Sequence, residues 1–283
     1  MDIPDEVRKC VCFVGYRNQA GEMVLMGTAF FVSKPLEGTL RALYCVTAAH
    51  VLEQIQKRGS DTVSVAVNAR QGGRIWITFP LMDCLVHPDP AVDVAIIPGG
   101  MPHPDEGEHM SFPIEGALTK EIVEKEGIGA GTDVFVTGLF VNHAGTSRII
   151  PIVRIGNIAA MPHEPVETSR GLMDAYLIEA RSIGGLSGSP VFTNQGMVGV
   201  RDGQLKFLTR PPLFLLGLIH GHFDIVTDAA DVKEDVASRE RVNMGIAIVV
   251  PVEKIVELLN DPRVLAPDDE IRKERQAAGQ PQA

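Results

Sequence analysis

The chain has 283 residues, a net charge of −10, 45% apolar residues and 22% charged ones. That length allows one large domain or two small ones around a sizeable core, and the composition is that of a soluble globular protein. The acidic balance argues against general binding to nucleic acid or anionic membrane, since both need basic surface, and no apolar run reaches the roughly 18 residues of a membrane helix.

The opening residues MDIPDEVRK carry acids and a proline, so they do not read as a signal peptide, which starts basic and continues apolar. They lead straight into the first apolar run, VCFVGYR (11–17), followed by MVLMGTAFFVS (23–33), RALYCVTA (41–48), TVSVAVN (62–68), RIWITFP (74–80) and VDVAIIP (92–98). Short apolar runs separated by Gly, Pro, Asn and Asp predict strands, and NQAGE joins the first two as a hairpin would. After the third run, AHVLEQIQKRG (49–59) suggests a short helix closed by Gly59. A Gly-, Pro- and acid-rich stretch near 98–118 reads as a connection, and TKEIVEKEG (119–127) as a second short helix. A further set of strands is expected over 132–140, 147–156, 175–180, 189–193, 196–202, 214–223 and 244–251. A polar, acidic segment, 224–242, interrupts the last of them. PVEKIVELLN (251–260) predicts a helix with Pro251 at its first position and Ile255, Val256, Leu258 and Leu259 on one face. The tail from Ala266 has almost no aliphatic content and is expected to be disordered.

Four cysteines are too few for a disulfide framework in a chain this long, so they read as buried free thiols. With no signal peptide evident, the expected compartment is the cytoplasm of a bacterium. Cys10 and Cys12 would share one face of a strand, but no Cys/His pair follows at zinc-site spacing. His220 and His222 alternate on one strand face, again with no third ligand evident. No metal or other cofactor is expected.

Three short motifs carry chemistry: V-T-A-A-H at 46–50, V-D-V-A-I at 92–96 and G-G-L-S-G-S-P at 184–190. A serine hydroxyl needs a base beside it to act as a nucleophile at neutral pH. Histidine suits that task, and a carboxylate behind the imidazole fixes its tautomer and stabilises the imidazolium. Glycines around the serine let the backbone turn sharply and aim N–H groups at a developing oxyanion. Asp93 is preferred to Asp89, which sits in the turn H-P-D-P, because an unpaired carboxylate at the start of an apolar strand would be costly. Ser187 is preferred to Ser182 and Ser189 because Gly185 and Gly188 bracket it.

In order and spacing these motifs resemble those of the chymotrypsin-like (trypsin-like) serine peptidases, over roughly residues 10–260. Bacterial members are the most similar, including glutamyl endopeptidases and the core of the high-temperature-requirement proteases. The resemblance implies an all-β fold of two six-stranded antiparallel β-barrels with a C-terminal α-helix. Residues 1–105 would form the barrel carrying His50 and Asp93, 106–131 a connection, 132–262 the barrel carrying Ser187 plus the closing helix, and 263–283 a polar tail. It implies His50 as general base, Asp93 as orienting acid, Ser187 as nucleophile, and Gly185 and Ser187 as oxyanion-hole donors. The substrate would be a protein or peptide bound along His220, Gly221 and His222. A gap-free count places Arg181 near the pocket floor, which would favour an acidic side chain before the scissile bond. The alternative has Arg181 pointing outward to Glu179 or Asp224, leaving a small apolar pocket.

The sequence also departs from the family. Leu186 stands where secreted relatives carry an Asp that pairs with a newly cut N-terminus, so activation by that route is unavailable. The disulfide around the catalytic histidine is missing, with Cys45 before His50 but Val51 after it. No peptide-binding PDZ module is expected after residue 260. Control is expected at the active-site loops, through the segment 224–242 or a regulatory partner. The competing readings are a catalytically silent protease-like binding module and an esterase.

Overall fold

The apolar runs of the first half pair into one sheet. In a computed structural model that describes residues 3–98, 102, 105–180, 184–194, 198–201, 204–207, 213–226 and 241–277, a short helix, Asp5–Lys9 (α1), precedes Val11–Arg17 (β1). Met23–Glu37 (β2) follows through the expected hairpin, in which the Asn18 N–H donates to the Glu22 carbonyl at 2.8 Å. Leu40–Thr47 (β3) leads into helix Ala49–Lys57 (α2), whose Val51, Leu52 and Ile55 are buried. Then come Thr62–Ala69 (β4), Arg74–Pro80 (β5), Leu85–Val86 (β6) and Ala95–Ile97 (β7). The strand order is β5-β4-β1-β2-β3-β7-β6, and the path ends at β5 and β6 without closing. The expected connection is partly built into this sheet. Gly107–Glu108 (β8) pairs with β4, and Phe112–Pro113 (β9) runs parallel to β2. Lys120–Glu126 (α3) completes the connection.

The second half closes. Asp133–Gly138 (β10) and Ile152–Ala160 (β11) are followed by a small hairpin, Val166–Thr168 (β12) and Gly171–Met173 (β13), and then by Tyr176–Glu179 (β14). Pro190–Asn194 (β15), the hairpin Val198–Arg201 (β16) and Gln204–Phe207 (β17), Leu213–Val226 (β18) and Arg241–Pro251 (β19) complete it. β10-β11-β14-β19-β18-β15 form a closed barrel. The result is a closed six-stranded barrel beside an open, partly barrel-like sheet, a chymotrypsin-like double-barrel plan with a C-terminal helix.

One apolar core runs across both halves. Phe31 and Val46 of the sheet belong to the same buried cluster as Phe135, Phe192, Leu218 and Val250 of the barrel. Phe192 stacks on Phe135 with ring centroids 5.3 Å apart and meets Phe112 of β9 at 5.1 Å. Burying side chains of this size stabilises by roughly 1.5–3 kcal/mol each, so this shared core fixes the seam along which the site lies.

Two expectations at the C-terminal end are corrected. Pro251 is the N-cap of helix Val252–Leu259 (α4) and the last residue of β19, not the first helical residue. The segment expected to be a disordered tail forms helix Pro262–Ala277 (α5) as far as it is described. Val264 and Asp268 anchor that helix, each 4% exposed, and the Tyr44 hydroxyl donates to Asp268 Oδ2 at 2.5 Å. The central part of the acidic segment, 227–240, lies outside the described residues.

Candidate active site

His50 sits in the first turn of α2, where backbone N–H groups lack partners within the helix. Ala48 precedes the helix and offers no side-chain acceptor, so Asp93 supplies one: its Oδ1 accepts the His50 N–H at 2.9 Å. The other oxygen, Oδ2, is 2.6 Å from His50 Nδ1. Asp93 is fully buried and lies just ahead of β7 rather than opening it. Asp89, by contrast, is exposed in a turn and accepts the Ala91 N–H at 2.9 Å.

A third residue meets this carboxylate. His220 Nδ1 is 2.5 Å from the same Oδ2, although 127 residues separate the two in sequence. The rings of His50 and His220 stand edge to face, with centroids 5.6 Å apart. Burial pushes the Asp93 carboxyl up, but hydrogen bonds from His220 and His50 outweigh it and hold the group well below the usual carboxylate range. An ionised carboxylate only accepts, so the network assigns a hydrogen to both Nδ1 atoms. In the neutral ring, His50 Nε2 is then left with a lone pair, as a base requires. Arg170, on the β12–β13 turn, approaches Asp93 Oδ1 to 3.9 Å while donating to Glu53 Oε1 at 2.8 Å and to the Pro90 carbonyl at 2.9 Å.

The loop carrying Ser187 is fastened from both sides. Gly185 and Gly188 have φ of +100° and +82°. A Cβ on Gly188 would lie 2.2 Å from the Thr28 carbonyl oxygen, so both conformation and space call for glycine. Thr28 of β2 donates its hydroxyl to the Gly185 carbonyl at 2.8 Å and its N–H to the Ser187 carbonyl at 3.0 Å. The same hydroxyl accepts the Leu139 N–H at 2.9 Å. From the barrel, the Gly188 N–H donates to the Ile219 carbonyl at 2.8 Å. Leu186 is 2% exposed and packs into the barrel's own cluster.

His50, Ser187, Gly221 and His222 line one cleft of about 640 Å³, together with Glu53 and Lys57 of α2 and Glu167 and Arg170 of the small hairpin. The Ser187 hydroxyl donates to the His220 carbonyl at 3.4 Å, not to His50. His220 also lines this cleft, while its imidazole turns to Asp93 and is 9% exposed, because a buried carboxylate draws the nearest N–H donor. Arg181, the expected pocket floor, lies outside the described residues. Thr28, Arg170 and the bond from His220 to Asp93 escaped sequence reasoning, since each acts only through long-range contacts.

A closed barrel with an open sheet beside it has the plan of a chymotrypsin-like double barrel, and His50 and Ser187 line one cleft of it. Among solved structures, the chain is similar to the apo MamO protease domain from Magnetospirillum magneticum, at 17% identity and a TM-score of 0.52, over 91% of this chain and 99% of that one. It is also similar to an inactive mutant form of Rv3671c from M. tuberculosis H37Rv, at 18% identity and a TM-score of 0.43, over 89% and 86% of the two chains. At such identities the likeness is one of fold. No family model and no curated protein sequence matches the chain.

Proposed function

We propose that the protein is a serine endopeptidase that hydrolyses peptide bonds through an acyl-enzyme on Ser187. The observation that carries this reading is the 2.6 Å bond between His50 Nδ1 and Asp93 Oδ2, at the edge of the cleft that Ser187 lines. In this mechanism Ser187 Oγ attacks the scissile carbonyl carbon while its proton passes to His50 Nε2. The backbone N–H groups of Gly185 and Ser187 receive the oxyanion. Collapse expels the amine, protonated by His50, and water then repeats the sequence to free the acid. Asp93 stays ionised throughout, holding the tautomer and the charge. The hydroxyl's present bond to the His220 carbonyl is long, so a turn about its side-chain torsion towards His50 breaks little.

The test is turnover of a peptide library. Ser187→Ala and His50→Ala should each lower it on the order of 10⁴-fold with the fold unchanged; full activity in Ser187→Ala would refute the assignment. The same library reads the pocket. His222 on the cleft wall supports a preference for Glu or Asp before the cut, and cleavage mainly after Val, Ala or Leu would oppose it. A second reading, a silent binding module, draws on the Ser187 hydroxyl facing His220 rather than His50. That reading expects no turnover of any peptide.

A further inference from the structure

The cluster at Asp93 holds one imidazole more than a triad needs. His50, Asp93 and His220 each offer a ligand atom, and these atoms lie within 4.8 Å of one another. Sequence set aside a metal at His220 and His222 for want of a third ligand. The fold supplies it differently, turning His220 to Asp93 and bringing His50 from α2 to the same oxygen.

We propose that His50, Asp93 and His220 form a reversible site for a divalent transition ion of the Zn²⁺ class, and that the bound ion silences hydrolysis; the silencing rests on the function proposed above. Two imidazole nitrogens with one carboxylate oxygen suit Zn²⁺, whereas Mg²⁺ and Ca²⁺ prefer sets made of oxygen. The present N···O separations, 2.5 and 2.6 Å, are hydrogen-bond lengths, so protons now hold the cluster. Ligands about 2.0–2.2 Å from one ion in tetrahedral array sit roughly 3.3 Å apart, so each imidazole needs to swing back by less than about 1 Å. Each imidazole stays neutral, giving up its Nδ1 proton while Nε2 takes one from solvent, so there is no net proton release and no change of oxidation state, and a cleft water fills the fourth position. Asp93 Oδ1 can keep the backbone N–H of His50, and Arg170 on that side is already paired with Glu53. Asp93 is fully buried and His220 nearly so, which holds two of the ligands in place before the ion arrives.

With Nδ1 of His50 on the ion, the bond that fixes its tautomer and supports its positive charge is gone. Ion binding and base catalysis therefore exclude each other.

The test uses tag-free Ser187→Ala protein titrated with ZnCl₂ in a calorimeter. One ion per chain should bind, with a heat that hardly varies with the buffer's own ionisation, because neutral imidazoles exchange tautomer without net proton release. His220→Ala, His220→Asn and His50→Ala should bind at least about tenfold more weakly, and His222→Ala as well as the parent. In the wild type, Zn²⁺ should block fluorophosphonate labelling and EDTA should restore it. No binding up to millimolar Zn²⁺, or undiminished binding by folded His220 and His50 variants, would overturn the site. Binding that leaves labelling intact would overturn the silencing. A metal-free wild type that never labels would instead count against the hydrolase, and calorimetry would still decide the site.

Discussion

Thr28 shows how a single side chain ties the nucleophile loop to the other half of the molecule. Its hydroxyl accepts from Leu139 and donates to Gly185, while Thr47 donates to its carbonyl at 2.7 Å. Thr28→Val keeps the β-branched shape and strands the partly buried Gly185 carbonyl and the buried Leu139 N–H. A loss of about 1–3 kcal/mol is expected by chemical unfolding. Labelling of Ser187 should slow by about tenfold or more, while the His50–Asp93 bond is unaffected. Unchanged labelling would mean that the loop holds its shape without Thr28. At this scale the sequence was legible where chemistry is local. The residues before His50 and the glycines around Ser187 mark both positions, and Asp93 stands out as a carboxylate beside an apolar strand. It was illegible where a role depends on register. Nothing near Thr28 distinguishes it from any strand threonine, and His220 reads as a pocket wall until β18 is placed beside Asp93.

Helix α5 gives little sign of itself in the sequence because it is mostly polar, with too few apolar residues for a broad stripe to announce a docking face. It is held by Val264 and by a buried polar contact between Tyr44 and Asp268. That contact pushes the Tyr44 hydroxyl's pKa up, through burial first and the neighbouring carboxylate second. Tyr44→Phe would leave the Asp268 carboxylate buried without this donor. Thermal unfolding should register a loss of about 1–3 kcal/mol, and Asp268→Asn should recover part of it by removing the buried charge. Equal stability of Tyr44→Phe and wild type would show that α5 does not depend on this bond. Most strands were legible because short apolar runs between turn residues survive any tertiary arrangement. β8 and β9, two residues each, could not be seen, since pairing with β4 and β2 defines them rather than any pattern of their own.

Across the whole molecule, the two halves are joined by packing rather than by covalent bridges. The four cysteines are free thiols, three of them buried. Cys12 and Cys45 approach to 3.7 Å between sulfurs, well beyond the roughly 2.05 Å of a disulfide. Burial pushes the Cys10 thiol up to about 12 and that of Cys12 well above its ordinary value, so neither forms the reactive thiolate at neutral pH. A reductant should therefore leave the melting temperature and labelling rate unchanged. A drop on the scale of the roughly 2–5 kcal/mol lost with a native bridge would contradict this. The all-β character and the intervening connection were legible from the strand runs, and the double-barrel plan from the resemblance that the three motifs carry. That the first sheet stays open shows only in its pairing, and that one core spans both halves shows in contacts such as Phe112 against Phe192 across the seam.

Activation of Ser187 by His50 and Asp93, as proposed, has a direct chemical consequence. Intact-mass spectrometry of the purified, metal-free protein after exposure to a fluorophosphonate tests it most directly. One adduct per chain is expected, mapped to Ser187 by peptide sequencing, and none in Ser187→Ala or His50→Ala. An unmodified wild type, or an adduct that persists in Ser187→Ala, would contradict it.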